Sequence, residues 1–71
     1  MNVKEVILEA CAVAHRDGNV LIEDIHIDRD AFERLVDEIF PIGTPENASA
    51  RAARWLTVEA SHGLVDVRWG P

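Results

Sequence analysis

Start and stop signals crowd residues 27–46, and they leave room for little except two helices joined by a tight turn. Asp28 suits an N-cap, which places Ile27 at N′ and Phe32 at N4, the two positions that close a hydrophobic staple. Asp30 and Glu33 favour the positive end of the same helix. Phe32, Leu35, Val36, Ile39 and Phe40 then recur at helical spacing, and Pro41 stops the run because its ring cannot continue the hydrogen-bond ladder. Residues 41–44 make the turn. Thr44 as N-cap, Pro45 at N1 and Glu46 at N2 announce the next helix.

Everything else must pack against that pair, because 71 residues supply one core and no second domain. Residues 3–16 read as a first helix, with Asn2 as N-cap and Gly18 as the left-handed residue just past its end. Val3, Val6, Ile7, Ala10, Val13 and Ala14 form its apolar stripe. Leu8, Cys11 and Ala12 widen the stripe enough to be covered on two sides, which reads first as a core helix and otherwise as a helix shared with a partner or with a second subunit in a homodimer. Asn19 opens a β-prone stretch, with one short strand expected at 20–22 and room for it to resume at 25–27 around His26.

Residues 55–62 allow two readings. In one, the third helix runs to His62 and stops at Gly63. In the other, Trp55 to Ala60 is a strand that turns through Ser61-His62-Gly63 into a strand at 64–69, a loop that fits a type I turn with a G1 bulge. The hairpin is favoured, since Trp-Leu-Thr-Val is poor helix material and a strand at 20–22 needs neighbours. The fold class is then a small single α+β domain, helix-strand-helix-helix-strand-strand, with a winged-helix-like three-helix core and a small antiparallel sheet. The resemblance to a winged helix is one of element order, with no family motif behind it.

Hydrophobic residues at 48% are too many for a disordered tail, and a net charge of -6 has the wrong sign for binding phosphates by bulk attraction. No run is long enough to span a membrane and no basic leader opens the chain. The lone Cys11 cannot form an internal disulfide, so a reducing, cytoplasmic setting is expected. Residues 1–16 and 39–71 are each electrically balanced. The excess lies between them, in Asp17, Glu23, Asp24, Asp28, Asp30, Glu33, Asp37 and Glu38, offset by Arg29 and Arg34. Such a segment reads as a solubilising, helix-capping surface or as a face complementary to a basic partner.

The third helix offers a competing site. Asn47, Arg51 and Arg54 share one face, with Ser49 nearby, and Asn and Arg are the residues that read adenine and guanine in a major groove. Cys11 and His15 lie one turn apart, but neither His26 nor His62 completes a zinc spacing and no third residue orients a thiolate and base. Glu23-Asp24 would point to opposite faces of a strand, so paired acid–base chemistry is not expected there. Trp55 and Trp69 would face each other across the hairpin, with Trp69 also suited to anchoring a partner.

No cofactor, metal or enzymatic activity is expected. The primary expectation is a small acidic regulator or inhibitor that binds a protein with a basic surface, through Glu23, Asp24, Asp28, Asp30, Glu33, Asp37, Glu38 and Trp69. A nucleic-acid-handling machine is one candidate partner, and a phage or mobile element one candidate origin, with no residue in the sequence marking either. The alternative is a winged-helix transcriptional regulator that reads DNA with Asn47, Ser49, Arg51 and Arg54.

Overall fold

The computed structural model describes residues 2–70. The elements follow in the order α1 (Val3–Gly18), β1 (Asp24–His26), α2 (Arg29–Ile39), α3 (Pro45–Ala53), β2 (Trp55–Ala60) and β3 (Gly63–Arg68). Each helix starts at the residue its sequence designates. The Asn2 Oδ1 accepts from the Glu5 N–H at 2.8 Å, the Asp28 Oδ1 from the Ala31 N–H at 2.8 Å, and the Thr44 Oγ1 from the Asn47 N–H at 3.2 Å. Phe40, in extended backbone ahead of Pro41, ends α2.

Several expectations are corrected. Gly18 is the last residue of α1, and Asn19 instead takes the left-handed conformation, with φ 51°. Asn tolerates that region better than most residues. Residues 20–22 form no strand, because the Asn19 and Val20 N–H groups fold back onto the carbonyls of His15 and Ala14 and hold the chain on the helix end. Val20 and Leu21 are consequently about half exposed, at 52% and 56%, and the strand begins only at Asp24.

The sheet is mixed rather than antiparallel, with strand order β1-β3-β2. β2 and β3 form the hairpin, while β1 runs parallel to β3 with Ile25 opposite Val67. Parallel neighbours need a long crossover, and α2, α3 and β2 supply it. The hairpin closes one residue tighter than expected: Ala60 pairs with Gly63, leaving Ser61-His62 as the turn and a positive φ of 140° at Gly63. β3 ends at Arg68, so Trp55 lies opposite Arg68 and not opposite Trp69.

The helices cover one face of the sheet. Ile7 and Cys11 from α1, Phe32, Leu35 and Val36 from α2, and Ala50 from α3 meet Leu56, Val58, Val65 and Val67. On β2 the alternation is strict: Leu56 and Val58 point inward, while Trp55, Thr57 and Glu59 are exposed. α1 buries a narrower face than its composition suggests, because Val6, Ala10 and Ala12 stay exposed.

Candidate functional site

Two adjoining helices carry both candidate sites of the sequence, and the structure locks them together. Asn47 is only 4% exposed. Its Nδ2 donates to the Asp37 Oδ1 at 3.0 Å and to the Phe40 carbonyl at 2.8 Å, and its Oδ1 accepts from the Arg51 Nε at 2.9 Å. Arg51 reaches across to α2 with both terminal nitrogens, Nη1 to the Glu33 Oε2 and Nη2 to the Asp37 Oδ1, each at 2.6 Å. Two of the four side chains proposed to read bases, Asn47 and Arg51, are thus engaged with two of the carboxylates proposed to attract a partner, Glu33 and Asp37.

Hydrogen bonds from Asn47 and then Arg51 hold the Asp37 carboxyl below its ordinary value of 3.8, and Asp37 in turn raises the Arg51 pKa. A carboxyl with a lower pKa folded than unfolded contributes stability above the unfolded value and loses it as pH falls through the folded one. Wild-type stability should therefore fall more steeply than that of Asp37→Asn as the pH drops below the ordinary Asp value of 3.8, as read from urea midpoints at stepped pH.

Most of the remaining mid-chain acids are also engaged. Glu38 accepts from the Val3 and Lys4 N–H groups at 2.9 and 3.0 Å, so the end of α2 caps the start of α1. Asp24 pairs with Arg68 at 2.9 Å, Asp17 with Arg16 at 3.1 Å, and Glu33 also with Arg29 at 3.2 Å. Asp28 caps α2. Among the described residues, only the Glu23 and Asp30 carboxylates of the eight make neither a hydrogen bond nor an ion pair.

Trp69 lies half-buried between two arginines, with the Arg54 guanidinium 4.8 Å and that of Arg29 5.4 Å from its ring centroid. Arg54 is also the left-handed C-cap of α3, at φ 64°, and its carbonyl accepts from the Trp69 N–H at 3.1 Å. Ser49 is exposed on α3. Cys11 is buried while His15 is exposed, and the His15 ring centroid lies 6.5 Å from that of His62, whose Nε2 is 2.7 Å from the Ile22 carbonyl oxygen. Among the described residues, no three His, Cys, Asp or Glu side chains converge on a metal position.

Burial pushes the Cys11 thiol up. Its alkylation by iodoacetamide at pH 8 should run about tenfold or more slower in the native protein than in urea, as followed by mass spectrometry. Equal rates would place the thiol outside the core.

Sequence reasoning missed the surroundings of β2. A groove of about 570 Å³ lies between α3 and the start of β2, lined by Phe40, Pro45, Glu46, Ala53, Trp55 and Leu56 among others. A second, of about 500 Å³, lies between α1 and the end of β2, where Glu5, Glu9 and Glu59 surround Leu8 and Ala12. The legible signal was Glu5 and Glu9, a like-charge i,i+4 pair on a helix that otherwise balances its charge. No family model matches the sequence, and comparison with curated proteins and with solved structures gave no match.

Proposed function

We propose that this protein is a non-enzymatic binding module that works by capturing a partner protein with a basic surface, as a regulator or inhibitor. The observation that carries this reading is the bridge from Asn47 and Arg51 to Glu33 and Asp37. It withdraws two of the four candidate DNA-reading side chains into the fold, and Arg54 stacks on Trp69. A surface that remains net negative favours a cationic protein over a phosphate backbone.

Titration with duplex DNA at low salt and at about 0.2 M tests the two readings against each other. The expected result is no DNA binding at either salt, with immobilised protein retaining basic proteins from a lysate at low salt. Salt-steep DNA binding that is lost in Arg54→Ala would instead favour the DNA reader.

A further inference from the structure

We propose that the free edge of β2 is a strand-addition site for an extended protein segment that carries an apolar side chain toward one end and a Lys or Arg toward the other and becomes the fourth strand of the sheet. The inference deepens the protein-binding reading and rests on it.

β2 is one of the two edge strands of the sheet and, at six residues against three in β1, the longer. On β3, the Asp66 N–H donates to the Glu23 carbonyl and the Arg68 carbonyl accepts from the Ile27 N–H, so both residues turn their backbone toward β1. Pairing alternates along an antiparallel ladder, so Val65 and Val67 are the residues that bond to Val58 and Leu56 of β2. The Trp69 N–H to Arg54 carbonyl bond continues the same alternation. Trp55, Thr57 and Glu59 therefore direct their N–H and C=O groups outward, and among the described residues no hydrogen bond from another segment reaches them. Natural edges are blunted by Pro, Lys, bulges or a covering element. β2 has neither Pro nor Lys, and its register against β3 runs unbroken from Trp55 to Ala60.

The two grooves set the chemistry of the occupant. One end of the edge is apolar, around Phe40, Ala53, Trp55 and Leu56. The other is acidic, around Glu5, Glu9 and Glu59. Among the described residues, the carboxylates with no partner in the chain are Glu5, Glu9, Glu23, Asp30, Glu46 and Glu59, and all but Glu23 and Asp30 line these grooves. No basic residue lines either groove. An added strand fits with an apolar side chain at one end and a Lys or Arg roughly 10–13 Å further along, three or four residues at about 3.3 Å each. Two-fold pairing of β2 with the β2 of a second copy runs antiparallel, setting the acidic end of each strand against the apolar end of the other and leaving every groove carboxylate without a cation, whereas a basic chain supplies one.

Selection of a random ten-residue peptide library on the immobilised full chain tests the proposal. Enriched peptides should carry an apolar residue and a Lys or Arg three or four positions apart, and fluorescence anisotropy should then give their affinity. Thr57→Pro removes one outward N–H and spares the ladder to β3, so it should weaken binding at least about tenfold. N-methylation of alternate peptide amides should do the same with the protein untouched, and it decides the matter if the Pro variant does not fold. The pair Glu9→Lys with Glu59→Lys should also cost about tenfold, at an intact backbone edge.

Absence of enrichment, enriched peptides without basic residues, or affinity indifferent to both Thr57→Pro and N-methylation would overturn the proposal. In that last case, binding that still depends on Glu9 and Glu59 would leave the basic-partner reading standing without the strand edge. A wild-type dimer in sedimentation that Thr57→Pro converts to monomer would make the occupant a second copy, and would overturn the proposal as well.

Discussion

Phe32→Ala is expected to remove a large part of the stability of the fold at 25 °C. The ring is fully buried at the fourth position of α2, where it meets Ile27 in the staple and the valines of the sheet. Truncating a buried Phe costs about 3–5 kcal/mol through lost transfer energy and the cavity left behind. A chain of 71 residues has roughly 4–11 kcal/mol in total, at about 0.05–0.15 per residue. Far-UV circular dichroism with urea titration reads the result directly. Phe32→Leu should retain a cooperative transition at a cost of about 1–1.5 kcal/mol. A loss below 1 kcal/mol for the Ala variant would show that the ring does not anchor this core.

Asn47→Ala is the second large effect, and it separates a structural amide from one awaiting a ligand. The substitution deprives the Phe40 carbonyl and Asp37 of a donor and frees the Arg51 side chain from the residue that orients it. Leaving buried polar groups without partners costs about 1–3 kcal/mol, well above the ±0.5 kcal/mol usual for an exposed helix position. Ser49→Ala, on the exposed side of the same helix, is the control and should be nearly neutral. If the two variants lose the same small amount, the amide is not holding α2 to α3.

The elements that sequence reasoning reached are those whose causes lie within one turn of helix or one turn of chain. Asn2, Asp28 and Thr44 cap because a short polar side chain meets a backbone N–H three residues on, and no distant contact enters. The hairpin was legible for a similar reason: poor helix formers and a Gly sit at the right spacing. The strand near residue 20 was misplaced because its location depends on where β3 passes, some forty residues later, and on a helix end that pulls Val20 back. The charge map failed in the same way. Summing charge by segment left Glu33 and Asp37 in one block and Arg51 in another, while the turn at 41–44 sets them side by side. Segment sums also hid Glu59 in a neutral stretch, although its place in the hairpin brings it to Glu5 and Glu9.

The parallel pairing of β1 with β3 also bears on how the molecule is made. Asp24 to His26 find their partners only in Asp66 to Arg68, at the far end of the chain, and two core valines, Val65 and Val67, arrive with them. A nascent polypeptide can wind its helices early, but its core lacks Val65 and Val67 and β1 lacks its pairing strand until residues 63–68 leave the ribosome. Until then the apolar sides of α1 and α2 remain open to chaperones.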